Sequence, residues 1–457
     1  MGRSTSVRAG SKVGRISDAW RLDYHILMVI QYILANKAES VEEREKTKPR
    51  ESEIGGIFLP SLAKALVCLP CVTVFKAYPA PVTEIEQLVC ELIALPSVNP
   101  AFLPQNHPDA GEGRVADFLA ATAGQAGLDV ELQQVLPGRA NVLARISPAG
   151  AIQHRVLLAP HMDTVTAFSP DQFAPRLSDG RIYGRGSCDT KGSIASMLGA
   201  LMTLARSPAR PAATEIIFAG LIDEECAQAG SRSLAASGLQ ADLAIVGEPT
   251  RLRVVTAHKG SLWLRLETRG KAAHGACPDL GRNAVHEMAR IVDLLQTDYA
   301  RQLKRRRHPL LGCATVSVGS IKGGSQANIV PAQCEASVDR RTLPGETESS
   351  VRGDLQKLFR RHKLRARIGD EKSNSCHPME TGAELPLVRK FMQAARQTKP
   401  EGAHYFCDAS VLAHAGIPSI VFGPGDIAQA HTAEEWIGQK SLAAATACLL
   451  KFFQSLP

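Results

Sequence analysis

Residues 154–165 read HRVLLAPHMDTV, an apolar run that ends in a histidine and an aspartate. Similar short apolar runs occur at EIIFAGLI (215–222), DLAIVG (242–247) and PSIVFG (418–423). Continuous runs of this length are typical of strands that are buried on both faces of a parallel sheet. Helical periodicity alternates with the strands, and the sequence therefore predicts an α/β fold, a mostly parallel sheet flanked by helices. The helices expected in this part of the chain are 83–95, 113–127 and 191–207.

The expected domain organisation follows from changes in this pattern. Residues 82–256 form the first part of the large domain, and residues 373–457 complete it. Residues 257–372 instead alternate as amphipathic strands with two helices, which indicates an inserted two-layer α+β domain. The first 81 residues, with separate basic, apolar and charged blocks, are expected to be a poorly ordered extension.

Composition places limits on the function. The apolar fraction of 44% and the charged fraction of 21% are ordinary for a soluble globular protein. Part of the net charge of +8 comes from RQLKRRR (301–307), which no aromatic residue interrupts, so a solvated helix face is favoured over a nucleic-acid site. The apolar span 57–75 is long enough to cross a bilayer, but Lys64 and two prolines interrupt it, which leaves a membrane anchor as the less favoured alternative. Eleven cysteines without a disulfide framework indicate a reducing, cytoplasmic location.

Acidic and imidazole side chains follow the apolar runs, where each predicted strand ends. In an open parallel sheet, ligands bind beyond the carboxyl ends of the strands, and a set of two imidazoles and three carboxylates suits a pair of divalent ions. One of the carboxylates belongs to the Gly-rich turn GRGSCDTKG (184–192), which lacks the spacing of a phosphate-binding loop. The sequence therefore predicts a two-metal hydrolase whose ligands are His161, Asp189, Glu225, Glu248 and His431.

Five motifs, in order along the chain, resemble the M20 family of metallopeptidases and amidohydrolases. They are HMDTV (161–165), GRGSCDTKG (184–192), DEE (223–225), GEPT (247–250) and AHT (430–432), and the resemblance runs from about residue 82 to the C-terminus.

The resemblance implies that Asp189 bridges two metal ions. His161 and Glu248 would complete the ligands of one ion, and Glu225 and His431 those of the other. The ions would be Zn²⁺, with Co²⁺ or Mn²⁺ as alternatives.

The resemblance also implies roles for residues that bind no metal. Glu224 is expected to be the general base, and Asp163 to orient His161. In KAAHGACPDLGRNAV (271–285), His274 is expected to stabilise the oxyanion, often from the partner subunit of such enzymes.

Two further residues of the insert are expected to bind substrate. Asn328 belongs to the segment KGGSQANIVP (322–331), which resembles a substrate-binding turn. Arg341 belongs to DRRTLPGE (339–346) and is expected to bind a substrate carboxylate, with Arg340 as the alternative.

The implied activity is hydrolysis of the amide bond of N-acyl amino acids or short peptides. Deacetylation of acetylornithine is the first expectation within the family. Desuccinylation of succinyl-diaminopimelate and a carboxypeptidase or dipeptidase activity are alternatives, and FCDAS (406–410), where the family often has Gly-Thr-Asp, leaves the substrate open. A non-catalytic binding module that keeps the fold is the alternative of another class. The insert would act as a lid and join two copies into a homodimer, with no nucleic-acid partner.

Overall fold

The computed structural model describes residues 83–371 and 376–457. The expected N-terminal extension and the apolar span 57–75 lie outside these residues. Within the described parts of the chain, no helix combines the length and apolar character needed to cross a membrane.

Strands and helices alternate along the chain. The strands are β1 (Asp129–Leu136), β2 (Arg139–Ile146), β3 (His154–Pro160), β4 (Arg176–Ser178), β5 (Arg181–Tyr183), β6 (Thr214–Gly220), β7 (Leu243–Gly247), β8 (Val255–His258), β9 (Gly260–Arg269), β10 (Arg307–His308), β11 (Gly312–Cys313), β12 (Thr315–Gly323), β13 (Gln333–Thr342), β14 (Arg367–Asp370), β15 (Met379–Glu380), β16 (Glu401–Ala403), β17 (Ser419–Val421) and β18 (Trp436–Gly438).

The first three α-helices begin and end within two residues of the predicted ranges 83–95, 113–127 and 191–207. The α-helices are α1 (Glu84–Ile93), α2 (Gly113–Gln125), α3 (Gly192–Ala205), α4 (Ala229–Ala236), α5 (Ala284–Leu294), α6 (Ala300–Leu303), α7 (Glu348–Arg361), α8 (Pro386–Ala394), α9 (Ala409–His414) and α10 (Gln439–Gln454). The first of them is fixed by a capping box, because the Thr83 hydroxyl accepts from the Glu86 amide while the Glu86 carboxylate accepts from the Thr83 amide.

The large sheet has the order β1-β2-β6-β3-β7-β17-β8-β15, with β16 paired to β8. Its four central strands, β6, β3, β7 and β17, run parallel and correspond to the four apolar runs of the sequence. Antiparallel pairs lie towards the edges, as between β1 and β2. The predicted fold class, a large mostly parallel sheet with helices, is confirmed.

Both faces of the large sheet are covered. Successive residues of β3 point to opposite faces. Val156 and Leu158 pack into a core that includes α1, α3 and α10, whereas Leu157 and Ala159 pack into a second core that includes α4 and α9. The central strands are therefore anchored on both sides, and their carboxyl ends form a rigid edge.

A second, four-stranded antiparallel sheet has the order β12-β13-β9-β14. Strand β9 alternates between buried and exposed residues, and its buried Leu264 and Leu266 share an apolar core with Met288 of α5 and Leu355 of α7. This sheet and its helices come from the part of the chain in which the sequence predicts an inserted α+β domain. The domain boundaries at 256/257 and 372/373 stay a prediction.

Candidate metal centre

The five side chains predicted as metal ligands lie in one cluster beyond the central strands. His161 comes directly after β3 and Glu248 directly after β7, while Glu225 lies in the loop that follows β6. His431 lies beyond β17, and Asp189 lies in the turn that precedes α3. The cluster thus gathers at the edge of the sheet where the sequence predicts it.

Asp189 lies between the two histidines. Its Oδ1 is 3.1 Å from Nε2 of His161, and its Oδ2 is 3.3 Å from Nε2 of His431. The same nitrogens lie 3.9 Å from Oε1 of Glu248 and 3.2 Å from Oε1 of Glu225, respectively. The side chains form two triads that share Asp189, and within each triad the ligand atoms lie within 4.8 Å of one another.

The two triads differ in their access to solvent. His161, Asp189 and Glu248 are buried, whereas the side chain of His431 is 52% exposed. A substrate therefore reaches the cluster from the side of His431 and Glu225.

The electrostatics of the cluster favour bound cations. Burial raises the pKa of Glu224 and of Glu248 well above the ordinary value, and neighbouring carboxylates raise both further. Burial also raises the pKa of Glu225. Burial opposes ionisation of Asp189 as well, but hydrogen bonds with the two imidazoles hold its pKa below the ordinary value.

Four carboxylates therefore lie close together beside the buried imidazole of His161 and the half-exposed imidazole of His431. Uncompensated buried charge is costly, and divalent cations with mixed nitrogen and oxygen ligands offset it. The residues present fit two such ions by number, donor type and spacing.

Asp163 connects the first triad to the loop that carries Glu224 and Glu225. Nδ1 of His161 lies 3.0 Å from the backbone oxygen of Asp163 and 3.4 Å from its Oδ1. The Asp163 carboxylate also accepts hydrogen bonds from the backbone amides of Glu224, at 3.0 Å, and Glu225, at 3.1 Å. Because Nδ1 is engaged on this side, the ring presents Nε2 to Asp189.

Sequence reasoning missed several polar residues that hold this loop. Asn99 donates to Asp163 at 2.8 Å and to Asp223 at 3.0 Å. Asn141 of β2 accepts from the Ile222 amide and donates to the Gly230 carbonyl, which joins the end of β6 to the start of α4. Nothing in the sequence distinguishes these asparagines from surface asparagines, since their partners lie far away along the chain.

A cavity adjoins the cluster and reaches the second sheet. Glu224, Glu225, Phe406, Ser261 and Trp263 are among the residues that line it, the last two from β9. The lining of the cavity therefore combines carboxylates of the loop after β6 with aromatic side chains and a hydroxyl.

Arg341 lies beside this cavity. It is paired with Ser261 across β13 and β9, and its guanidinium lies 5.7 Å from the centre of the Phe406 ring. Arg340 is instead 1% exposed and forms an ion pair of 2.6 Å with Glu346 in the core of the second sheet. Of the two arginines considered from the sequence, Arg341 is the one beside the cavity, and its Nε donates to the Asp339 carboxylate at 3.0 Å.

His274 and Asn328 lie in two paired segments away from the cluster. The Gly275 amide donates to the Asn328 carbonyl at 2.7 Å, and His274 forms a β-bridge with Ile329. Both predicted residues are exposed, and Nδ1 of His274 accepts from the amide of Ala276 within its own turn. Within the described residues, 83–371 and 376–457, no hydrogen bond or ion pair joins His274 or Asn328 to the five predicted ligands.

Comparisons with known proteins agree with this architecture. A family model described as peptidase family M20/M25/M40 matches residues 157–455. The chain is 32% identical over 350 residues to the acetylornithine deacetylase of Myxococcus xanthus, which covers 73% of this chain and 90% of that protein.

Solved structures share the fold at lower identity. The aminopeptidase PepT from Bacillus cereus has a TM-score of 0.66 at 19% identity and covers 81% of this chain and 97% of its own. The Bacillus subtilis protein YXEP, described as a dinuclear metal-binding peptidase of the M20 family, has a TM-score of 0.60 at 15% identity, with coverages of 81% and 96%.

Proposed function

The chain belongs to peptidase family M20/M25/M40 and is a metal-dependent hydrolase of amide bonds, and we propose that its substrate is N-acetylornithine. One observation carries the catalytic part of this proposal, namely the position of Asp189 between two triads of ligand atoms. The choice of substrate rests on the similarity to an acetylornithine deacetylase over nine-tenths of that protein's length.

The five residues of the cluster would hold the two metal ions. One ion would be bound by His161, Asp189 and Glu248, and the other by Asp189, Glu225 and His431. Zn²⁺ is the proposed metal, with Co²⁺ or Mn²⁺ as alternatives. When bound, the ions supply a water molecule of lowered pKa as the nucleophile and polarise the amide carbonyl.

Glu224 is the proposed general base. Its carboxylate lines the cavity, and its backbone amide is fixed by Asp163, so the side chain is held beside the space where the amide must lie. It would accept a proton from the attacking water and deliver that proton to the leaving nitrogen. Asp163 would keep His161 in the orientation that presents Nε2.

Recognition of the amino acid is assigned to the second sheet. Arg341 would bind the α-carboxylate through paired N–H donors, because its guanidinium lies at the cavity rim beside Phe406. His274 and Asn328 are exposed and lie away from the cluster of their own chain, which favours a contribution from the partner subunit of a homodimer.

The homodimer and the cellular location remain parts of the proposal. Strand β12 is an edge strand of the second sheet and presents Ile321, which is 49% exposed, so a partner copy could pair there. Sedimentation of the metal-loaded protein would measure the dimer. Cys188, Cys277, Cys313, Cys334, Cys407 and Cys448 are free thiols, in keeping with a reducing compartment.

A substrate panel tests the proposed function. Zn²⁺- and Co²⁺-loaded protein would be assayed with N-acetyl, N-succinyl and N-formyl amino acids and with dipeptides. N-acetylornithine should give the highest kcat/KM, and a chelator should abolish turnover. Faster turnover of succinyl-diaminopimelate or of dipeptides would favour those alternatives. A protein that binds two ions but hydrolyses nothing in the panel would be a binding module.

A further inference from the structure

Glu435 is a buried carboxylate to which the sequence assigns no role. It lies four residues after His431 and is 1% exposed. Its Oε1 accepts hydrogen bonds from the backbone amides of Cys188 at 2.9 Å and Asp189 at 3.0 Å, and its Oε2 accepts from the amide of Gly186 at 2.9 Å. The same Oε2 forms an ion pair of 2.6 Å with Arg185, which is equally buried.

The turn that carries Asp189 needs such a partner. Gly186 has a φ of 79°, a left-handed conformation that aims the following amides towards one point. Converging backbone amides form a concave site for an anion, and in this chain the anion is the side chain of a residue 246 positions away. A buried amide left without an acceptor destabilises the fold, so the turn depends on this carboxylate.

A second contact places Glu435 in register with the turn. Its backbone oxygen accepts from the Gly184 amide at 3.0 Å, and Trp436 of β18 pairs with Tyr183 of β5 immediately before the turn. The carboxylate is therefore held by a short sheet as well as by its own hydrogen bonds. Arg185 balances its charge, so it adds little net charge to the metal centre.

We propose that Glu435 is a positioning residue of the metal centre, which fixes the backbone of Asp189 so that its two carboxylate oxygens face His161 and His431. This inference rests on the proposed two-metal function, but it concerns metal binding rather than the identity of the substrate. The Asp189 amide points to Glu435 while its Oδ1 and Oδ2 point to the two imidazoles. Release of this amide would leave the turn tied to the first triad only through the Asp189 side chain and the hydrogen bond from the Thr190 hydroxyl to the His161 carbonyl, at 3.2 Å.

Metal titration of Glu435→Gln tests the inference. The amide side chain keeps the size of glutamate but turns an N–H₂ group towards donors that need an acceptor. We expect the apparent affinity of the metal-free protein for Co²⁺ and Zn²⁺ to fall about 10- to 100-fold, as is typical when a group that orients a metal ligand is changed. The visible spectrum of the Co²⁺ form should change, and excess metal should restore most of kcat with KM unchanged.

Glu346→Gln is the matched control. Glu346 also forms an ion pair of 2.6 Å with a fully buried arginine, Arg340, and accepts from a backbone amide, but it lies in the turn after β13 of the second sheet. The Glu346→Gln variant should lower the unfolding temperature about as much as Glu435→Gln does, while its metal affinity and Co²⁺ spectrum stay unchanged. If Glu435→Gln folds too poorly to titrate, Glu435→Asp keeps the charge but withdraws it from the turn, and it should show the same weaker binding.

Two results would overturn the inference. One is wild-type metal affinity and an unchanged Co²⁺ spectrum in the Glu435 variants despite lowered stability, which would make Glu435 a purely structural residue. The other is a wild-type protein that binds no divalent ion, which would remove the metal centre as well. A wild-type protein that binds two ions but hydrolyses no substrate of the panel would contradict the proposed function alone.

Discussion

At the scale of single residues, position after a strand is what made the clustering of the proposed metal ligands predictable. His161 and Glu248 follow buried strands directly, and such side chains must meet at one edge of a parallel sheet. Asn99 and Glu435 were not predictable, because their partners lie far away along the chain. Asn99 contacts Asp163, which is 64 positions away, and Glu435 contacts Asp189, which is 246 positions away. The sequence therefore indicates which groups carry the chemistry but not which groups hold them in place.

The assignment of Glu224 gives a first prediction. Glu224→Gln should lower kcat at least 100-fold, since general base catalysis is typically worth about 10²–10⁴-fold, while two equivalents of metal still bind. Steady-state kinetics with metal analysis would measure both. The control is Glu434→Gln, because Glu434 is a strongly exposed carboxylate near the site and should leave kcat unchanged. Retention of more than about a tenth of kcat in Glu224→Gln would exclude it as the base.

Arg341 gives a second prediction. Arg341→Ala should raise KM roughly 10- to 100-fold for N-acyl amino acids, because a charge-assisted pair of hydrogen bonds is worth about 1.5–3 kcal/mol. An N-acyl amine without a carboxylate serves as the control substrate, and its kcat/KM should hardly change. Equal losses for both substrates would show that Arg341 acts on the structure of the cavity and not on the carboxylate.

At the scale of elements, the four central strands and the helices α1, α2 and α3 were predictable from their apolar patterns, whereas the edges of the sheet and the last helix, α10, were not. β8, β15 and β16 are short, with two to four residues each, and three residues give too little periodicity to assign. The conformation of the loop that carries Glu224 could not be predicted from local sequence either, because it depends on where the first turn of α4 packs. There Asn141 and Gly230 bring the helix against the end of β6.

This close approach gives a third prediction. A Cβ at position 230 would lie 2.6 Å from backbone atoms of Ile222, so Gly230→Ala should destabilise the protein by about 1–3 kcal/mol and lower kcat through the adjacent loop. Chemical unfolding would measure the change. Gly124→Ala is the control, because that helical position has open space and should gain up to about 1 kcal/mol. Equal stability of both variants would contradict the packing described.

At the scale of the whole molecule, the stability of the fold should depend on pH through His258. This residue ends β8, is fully buried, and has no hydrogen-bond partner at Nε2 among the described residues. Burial lowers its pKa from 6.5 to about 4. The unfolded chain therefore binds a proton in this range that the folded chain does not, and stability falls as the pH drops from 6.5 towards 4.

Comparison with His258→Gln isolates this effect. Between pH 7.5 and pH 5, the wild-type protein should lose about 2 kcal/mol of unfolding free energy more than the variant does, in urea titrations of metal-free protein. Working without metal keeps the histidine ligands from contributing differently to the two proteins. If the unfolding free energies of the wild-type protein and of His258→Gln fall equally between pH 7.5 and pH 5, His258 binds a proton in the folded chain as readily as in the unfolded chain.

The fold brings motifs that are distant along the chain into one cluster. The sequence predicted which residues would form this cluster better than it predicted where the proposed substrate-binding residues would lie. The proposed ligands lie beyond the ends of buried strands, whereas His274 and Asn328 are exposed and form no hydrogen bond with those ligands among the described residues. The account therefore depends most on the paired cations.

Anomalous diffraction from crystals of the zinc-loaded protein, collected at the zinc absorption edge, tests this most directly. The account predicts two peaks about 3.5–4 Å apart, one beside His161 and Glu248 and the other beside Glu225 and His431, with Asp189 between them. A single peak, or peaks at separate places on the protein, would contradict it.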